Sequence, residues 1–152
     1  MTILGIDYGD RRIGLAASDS TGLIAGGLPT LERRGPDQDV TEAIRRACHE
    51  HGVERIVVGM PINMDGSQGP RAKLSQEFAL ALADALGIAV VMWDERLTSV
   101  QADRAMLQGN LSRAKRKQRR DRLSAQILLQ SYLDAQKRFS SAGEPIVRSV
   151  RP

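Results

Sequence analysis

The amino-acid sequence predicts an α/β domain with a five-stranded mixed sheet and helices on both faces. Three apolar segments near the N-terminus follow one another across short turns, as in an antiparallel meander. Two later apolar segments lack alternation and each follows a segment of helical periodicity, which is the β-α-β pattern of parallel strands. A chain of 152 residues fits one such domain and can bury a core without disulfide or metal staples.

The meander comprises the first three strands. Residues 2–7, 12–19 and 23–31 are rich in apolar side chains and are separated by turn-forming residues. The tripeptide Ser-Thr-Gly at 20–22 joins the second and third of them as a hairpin turn. These three strands therefore form one antiparallel half of the predicted sheet.

A first β-α-β unit follows the meander. Residues 39–51 have helical periodicity, and Gly52 ends the helix. The short apolar segment 55–59 is typical of a strand that is covered on both faces, and it leads into a loop at 60–69. The apolar face of the helix consists of Val40, Ala43, Ile44, Ala47 and Cys48.

A second unit carries the last strand. Pro70 fits the first turn of a helix that Gly87 stops, and residues 88–93 form the fifth strand. A capping box at 98–101 starts a helix that ends at Gly109.

The chain ends in one more helix, predicted at 121–138, and a loose tail. Without an internal repeat or a linker, the sequence predicts one domain at 1–139 and a flexible C-terminal tail at 140–152.

Acidic residues follow the strands in a way that predicts a shared site. Asp7 ends the first strand, and Asp94 and Glu95 come directly after the fifth. Because the carboxyl ends of parallel strands meet at one edge of a sheet, these acids are expected to lie together. Asp121 opens the last helix in line with the apolar residues at i+4, i+7 and i+11, so it is expected to face inward.

Gathered carboxylates favour a hard divalent cation. Like charges raise each other's pKa, and Mg²⁺ or Mn²⁺ removes that repulsion while accepting oxygen ligands. His49 and His51 are two residues apart on one helix and do not face the same way, which argues against zinc. Each acid also has a structural alternative: Asp7 could cap a turn, Asp94 could pair with Arg96, and Asp121 could complement a helix dipole.

A basic segment suggests a polyanionic partner. Residues 111–122 hold seven Lys or Arg and one Asp, a local charge of +6 in a chain whose net charge is +4. The irregular alternation of these side chains predicts a loop that orders on binding and clamps phosphates, and a solvated surface run is the alternative. With 3% aromatic residues, base stacking is not favoured. The proposed clamp consists of Lys115, Arg116, Lys117 and Arg119.

Composition limits the cellular setting. Cys48 is the only cysteine, so no internal disulfide can form, and a buried helical thiol in a reducing compartment is expected. The sequence shows no apolar run long enough to cross a membrane and no signal-peptide pattern. These features predict a cytoplasmic protein.

Four ordered motifs resemble those of the YqgF (RuvX) family: GIDYGDRRIGLAASD, VVGMPINMDGS, WDERLTSVQADR and DRLSAQILLQSYLD. They extend over residues 3 to 138. The resemblance implies the ribonuclease H-like fold and a metal-dependent nuclease that matures the 5′ end of the precursor of 16S ribosomal RNA. It also implies that Asp7, Glu95 and Asp121 are the catalytic residues and metal ligands, with Glu95 chosen over Asp94.

The loop after the fourth strand, Gly59–Gly69, is interpreted as facing the substrate or as an ordinary connection, and the resemblance favours the former. Asp65-Gly66 is a turn signal, and the backbone N–H groups of Gly66, Ser67 and Gly69 are predicted to be free to approach a phosphate. The resemblance adds Asn63 as a substrate contact.

Three arginines near the acids complete the predicted substrate contacts. Arg11 and Arg12 follow Asp7 and could neutralise phosphate, although a place on the surface of the hairpin is equally compatible with their positions. Arg96 follows Glu95.

Three functions remain open from the residues alone. The first is a Mg²⁺-dependent endonuclease acting on structured RNA or branched DNA, and the family resemblance favours the RNA. The second is a phosphotransferase, which the missing second lobe disfavours, and the third is a non-catalytic nucleic-acid-binding factor in transcription or ribosome assembly. The expected partner is nucleic acid and not a membrane, and the expected assembly is a monomer or weak homodimer.

Overall fold

The computed structural model describes residues 1–35, 39–97, 113–139 and 148–149. The side chains of residues 97, 113–122, 138–139 and 148–149 lie outside this description. The helix predicted between the capping box and Gly109 also lies outside the described residues, as does most of the predicted tail.

The sheet has the predicted mixed topology. Strands β1 (Thr2–Tyr8), β2 (Arg12–Ser18) and β3 (Ala25–Glu32) form the antiparallel meander. Strands β4 (Val53–Met60) and β5 (Ala89–Asp94) are parallel to β1, in the order β3-β2-β1-β4-β5. The two crossovers therefore place the carboxyl ends of β1, β4 and β5 at one edge.

The sheet has six strands rather than the five predicted. Strand β6 (Arg148–Ser149) pairs antiparallel with β5 opposite Met92 and Val91. It comes from the segment predicted to be a loose tail, and two residues are too few to produce a recognisable alternation in the sequence. Its pairing covers part of the open edge of β5, whose backbone groups would otherwise be exposed.

Helices cover both faces, as predicted. Helices α1 (Thr41–His51) and α2 (Pro70–Leu86) share one apolar core with the sheet, and helix α3 (Arg113–Phe139) forms a second core on the opposite face. Gly52 and Gly87 end α1 and α2 in the left-handed region, with φ of 62° and 67°, where glycine is favoured. None of the described helices is long and apolar enough to cross a membrane.

Helix α3 begins at Arg113, eight residues before the predicted start. The prediction of a loop for the basic segment is therefore wrong, and Asp121 lies inside the helix rather than at its first turn. Ala, Lys, Arg and Gln all favour helix, and the chain has no Gly or Pro between 113 and 139. In general, charges that are screened by salt do not prevent a segment of good helix formers from being helical.

Hydrogen bonds and a ring contact hold α3 against strands β4 and β5. The indole Nε1 of Trp93 donates to Ser131 Oγ at 3.1 Å, and the Trp93 ring meets the edge of Tyr132 at 5.6 Å between centroids. The hydroxyl of Tyr132 accepts a hydrogen bond from Arg55 at 2.9 Å, near the start of β4.

Helix α3 crosses β1 at close range because Gly5 has no side chain. A Cβ at Gly5 would lie 2.8 Å from Leu129 Cβ and 3.4 Å from the Ala125 carbonyl oxygen. Since Tyr132 is near the beginning of β4 and Ala125 is over Gly5, the helix runs with its N-terminal half toward the carboxyl ends of the parallel strands. Ala125 follows Asp121 by one helical turn.

Candidate active site

Asp7 and Glu95 meet at the carboxyl edge of the sheet. Asp7 is the penultimate residue of β1, paired with Gly14 of β2. Glu95 is the first residue of a 3-10 turn, Glu95–Leu97, that follows β5 directly. The two carboxyl groups form a hydrogen bond with each other.

Gly59 makes this contact possible. Strand β4 lies between β1 and β5, and Gly59 is the residue after Val58, which pairs with Ile6. A Cβ at Gly59 would lie 2.5 Å from Oε1 of Glu95 and 2.9 Å from its Cγ. The side chain of Glu95 therefore reaches toward β1 through space that any other residue at position 59 would fill.

The contact changes the protonation of Glu95. Burial is the largest of the causes that raise its pKa, the charge and hydrogen bond of Asp7 add to the rise, and the resulting pKa is about 8. The positive charge of Arg71 acts in the opposite direction, and Asp94 adds a smaller increase. At neutral pH a proton is therefore held between Asp7 and Glu95, and a bound cation could take the place of that proton.

The paired carboxyl groups open into a polar pocket of about 230 Å³. Arg12 and Arg71 are the cationic side chains among the described residues that line it, so the pocket combines negative and positive groups. The Nε of Arg12 lies 4.0 Å from Oε1 of Glu32 at the end of β3. The lining residues are Asp7, Tyr8, Gly9, Arg12, Gly14, Pro61, Arg71 and Glu95.

Arg71 is a pocket residue that the sequence analysis missed. It occupies the first turn of α2, directly after Pro70. Its Nη1 donates to Oδ2 of Asp10 at 2.9 Å, and its Nη2 donates to the Tyr8 carbonyl oxygen at 3.3 Å. Its place at the start of a helix that follows β4 was an available signal, because such helices begin at the carboxyl edge of the sheet.

Arg33 braces the turn between β1 and β2 and was also missed. It is 7% exposed, and its guanidinium donates to the carbonyl oxygens of Asp10 at 2.6 Å and Gly9 at 2.8 Å. Its guanidinium carbon lies 4.8 Å from the centre of the Tyr8 ring, whose other neighbour is the stacked ring of Phe78. The turn after Asp7 is therefore held by the hydrogen bonds of Arg33 to its carbonyl oxygens and by the packing of Tyr8 between Arg33 and Phe78.

Asp94 pairs with Arg96, which is the structural role that the sequence analysis gave as its alternative. Asp94 accepts three hydrogen bonds from the guanidinium of Arg96, at 2.7 and 2.9 Å to Oδ2 and at 3.2 Å to Oδ1. It accepts a fourth from the Arg96 backbone N–H, at 2.9 Å to Oδ1. Arg96 is thus oriented by Asp94. A contact of Arg96 with substrate stays a prediction.

The loop after β4 is bonded internally, and one prediction about it is wrong. The N–H of Gly66 donates to the Asn63 carbonyl oxygen at 2.8 Å, and the N–H of Ser67 donates to Oδ1 of Asp65 at 2.9 Å. These two groups are therefore not free for a phosphate, because a backbone turn uses the N–H of Gly66 and an Asx turn at Asp65 uses the N–H of Ser67. The Asn63 side chain donates to Ser67 Oγ at 3.0 Å and does not line the pocket.

The remaining predicted residues are only partly placed. Arg12 lines the pocket, whereas Arg11 is exposed and its carbonyl oxygen accepts a hydrogen bond from the Arg33 backbone at 2.8 Å. The side chain of Asp121 lies outside the described residues, as do those of the basic segment. Among the described side chains, no group of three or more His, Cys, Asp or Glu could hold a metal. Whether Asp121 completes the site stays a prediction.

Comparison with known proteins gives a consistent family. The family model described as RuvX, Holliday junction resolvase, matches residues 1–135. Curated relatives named "Putative pre-16S rRNA nuclease" include those of Pelotomaculum thermopropionicum, at 45% identity, and Halothermothrix orenii, at 46%. Each alignment covers 91% of this chain, with 90% of the first relative and 99% of the second. The family resemblance predicted from the four motifs is confirmed.

Solved structures support the same fold class. Thermus thermophilus RuvC in complex with a Holliday junction substrate superposes with a TM-score of 0.55 at 15% identity, over 96% of this chain and 99% of that one. The fowlpox virus resolvase with Holliday junction DNA also gives 0.55, at 12% identity, over 88% and 97%. The predicted ribonuclease H-like architecture is therefore confirmed.

Proposed function

The chain belongs to the RuvX family, and we propose that it is a metal-dependent endonuclease that cleaves phosphodiester bonds in structured nucleic acid. One observation carries the proposal: the carboxyl groups of Asp7 and Glu95 are hydrogen-bonded in a pocket that also contains two arginines. Carboxylates repel a phosphate. Paired acids therefore suit a phosphate substrate only when a metal ion lies between the acids and the phosphate.

The donor set fits a hard divalent cation. Asp7 and Glu95 provide carboxylate oxygens, which Mg²⁺ and Mn²⁺ prefer, and the proton between them marks a position where positive charge is stabilised. We propose Asp121 as a further ligand, because α3 approaches β1 at Gly5 and contacts the turn that contains Glu95.

Each residue then has a role. Asp7 and Glu95 would hold the ion, and Arg12, which lines the same pocket, would offset the negative charge of the acids and of the scissile phosphate. Bound Mg²⁺ or Mn²⁺ supplies Lewis acidity for the attacking water and for the leaving oxygen. Arg33 keeps the backbone next to Asp7 in place. The clamp of Lys115, Arg116, Lys117 and Arg119 binds phosphates further along the substrate.

The proposed substrate is the precursor of 16S ribosomal RNA, which the curated relatives carry in their name. The family resemblance of the four motifs favours its 5′ end as the place of the cut. Such an RNA is made in the cytoplasm, where we place the protein. We propose that the protein acts as a monomer or weak homodimer. A resolvase of branched DNA is the second candidate, because the family description names a Holliday junction resolvase.

The deciding experiment presents both substrates to the purified protein. A labelled precursor RNA that includes the 5′ boundary of 16S rRNA and a four-way DNA junction are each incubated with Mg²⁺, Mn²⁺ or EDTA, beside an Asp7→Asn preparation. We expect metal-dependent cutting of the RNA that Asp7→Asn lacks.

The other results each change the proposal in a defined way. Cutting of the junction but not of the RNA would favour the resolvase. Binding without cutting under every metal condition would leave a nucleic-acid-binding factor, and cutting in EDTA would exclude the metal mechanism.

A further inference from the structure

Arg71 is held with unused donors next to the acidic pair. A guanidinium has five N–H donors in a planar fork. Among the described residues, the hydrogen bonds of Arg71 are those of Nη1 to Asp10 and Nη2 to the Tyr8 carbonyl oxygen. The side chain is 50% exposed and lines the pocket, so further donors remain available beside Asp7 and Glu95.

A contribution to folding alone does not explain why Arg71 lies beside the acidic pair. An exposed ion pair such as Arg71–Asp10 contributes little to folding, because solvent screens the two charges. The chain contains a matched example elsewhere: Arg45 is 47% exposed, pairs with Glu42 and donates to the Ala85 carbonyl oxygen at 3.0 Å. Arg45 contacts the C-terminal end of α2, whereas Arg71 is at its N-terminal end beside the acids.

The positive charge of Arg71 acts on the carboxyl group of Glu95. It is the main described group that opposes the rise in the pKa of Glu95. A phosphate that approaches the two carboxyl groups meets repulsion from them and attraction from this guanidinium. Arginine, unlike lysine, presents a planar fork of five N–H groups, so that two of them can bind two oxygens of one phosphate while others stay hydrogen-bonded to the protein.

We propose that Arg71 is a substrate-binding residue that contacts non-bridging oxygens of one backbone phosphate at the α2 side of the pocket. Asp10 and the Tyr8 carbonyl oxygen hold the guanidinium in the orientation that this contact needs. The assignment rests on the proposed function of the same pocket, and it adds a single-phosphate contact that is separate from the basic segment of α3.

The first test measures binding without cleavage. A fluorescein-labelled RNA hairpin with a 5′ extension is titrated with protein in EDTA across a salt series, using wild type, Arg71→Ala, Arg71→Lys and the control Arg45→Ala. We expect Arg71→Ala to weaken binding about tenfold, as for loss of a charged hydrogen bond. The log–log salt slope should fall by about 0.7–0.9, as for one phosphate contact.

The two other variants separate charge from geometry. Arg71→Lys should keep the salt slope and lose part of the affinity, because a lysine retains the charge without the planar fork. Arg45→Ala should bind as wild type does. The Arg71→Lys result also tests the proposal if Arg71→Ala does not fold.

The second test locates the phosphate. Neutral methylphosphonates replace single phosphates of the hairpin one at a time, and each modified RNA is bound by wild type and by Arg71→Ala. At one position the penalty of Arg71→Ala should disappear, because the two changes remove the same contact. A penalty that is unchanged at every position would overturn the assignment.

The results also distinguish this inference from the proposed function. If Arg71→Ala and Arg45→Ala have equal affinities and salt slopes, Arg71 is not a phosphate contact, although the nuclease proposal stands. If the wild type binds neither the RNA hairpin nor a four-way DNA junction, the proposed function fails and this inference fails with it.

Discussion

Glu95 extends over Gly59 and hydrogen-bonds to Asp7, although the two acids belong to elements separated by a whole strand. Three parallel strands contribute to this contact. Strand β1 carries Asp7, β5 leads into Glu95, and β4, which lies between them, carries Gly59 and so leaves space for the Glu95 side chain. A change at Asp7, Gly59 or Glu95 is therefore expected to affect the other two residues.

Removing either acid should abolish cleavage without unfolding the protein. We expect Asp7→Asn and Glu95→Gln to lose nearly all activity, because each amide keeps the shape of the side chain but weakens a metal ligand. Asp121→Asn should do the same if it is the third ligand. Cleavage assays with circular dichroism of each variant check this prediction.

The acids should also behave as one unit. A variant with both Asp7→Asn and Glu95→Gln should lose little more activity than either single variant, because each change already disables the shared site. Full activity of any single variant, in a preparation free of contaminating nuclease, would remove that residue from the site.

Gly59→Ala should impair catalysis more than stability. The new Cβ would occupy the position of the Glu95 side chain, which can swing away at a cost of about 1 kcal/mol but no longer reaches Asp7. We expect a loss of activity of at least about tenfold, measured beside thermal unfolding. Gly26→Ala is the control, since a Cβ there would have only an ordinary contact, 3.9 Å from the Ala17 carbonyl oxygen. Equal activities of the two variants would contradict the role of Gly59.

The metal-free protein should lose stability as the pH rises through the range in which Glu95 titrates. The pKa of Glu95 is near 4.5 when unfolded and about 8 when folded, so the folded state binds more protons between these values. The free energy of unfolding should therefore fall from about pH 4.5 to pH 8. At the upper limit, Glu95→Gln should be more stable than wild type, on the order of 1–3 kcal/mol.

Urea unfolding of both proteins in EDTA across this pH range checks the sign. Added Mg²⁺ should restore the stability of the wild type at the upper pH and have little effect on Glu95→Gln. Parallel curves for the two proteins would show that Glu95 has no raised pKa.

Substitution of Lys115, Arg116, Lys117 and Arg119 by Ala should weaken the binding of all sequences about equally. Contacts to phosphates carry no base information, and each lost contact should reduce the log–log salt slope by roughly 0.7–0.9. Turnover at saturating RNA should largely survive, because binding that is equal in the ground and transition states affects apparent affinity. A variant with Arg45→Ala and Arg46→Ala in α1 provides the charge control, and an unchanged salt slope in the α3 variant would make the segment a solvated surface.

Asp7→Asn should not weaken binding of RNA in EDTA and should tighten it modestly. Without a metal, the carboxylate repels the phosphate, and the amide removes that repulsion. Fluorescence anisotropy with the labelled hairpin decides this point. A marked loss of affinity would mean that Asp7 supports the substrate through structure rather than through an ion.

The fold was largely predictable because its determinants are local and repeated. Hydrophobic runs and glycine stops indicate the strands and helices, and the rule for β-α-β crossovers sets their order. The same rule brings the carboxyl ends of β1, β4 and β5 to one edge, so the proximity of Asp7 and Glu95 could be expected from their positions in the sequence.

What could not be predicted depends on side-chain packing between distant segments. Arg71 enters the pocket because Asp10, sixty-one residues earlier, holds its guanidinium. The use of Gly59 is visible only once Glu95 is placed over it. The start of α3 does not follow from the alternation of charges, because the helix propensity of Lys, Arg and Gln outweighs that pattern.

Trp93 gives the protein an optical reporter of its own. It is the only tryptophan in the chain, two residues before Glu95, and its indole is 4% exposed and bonded to Ser131 of α3. Its emission therefore depends on how α3 is seated against the sheet at the acidic edge. Binding of an ion that draws α3 toward Asp7 and Glu95 would alter this fluorescence without any label, and the response could be followed in real time before the first bond is cut.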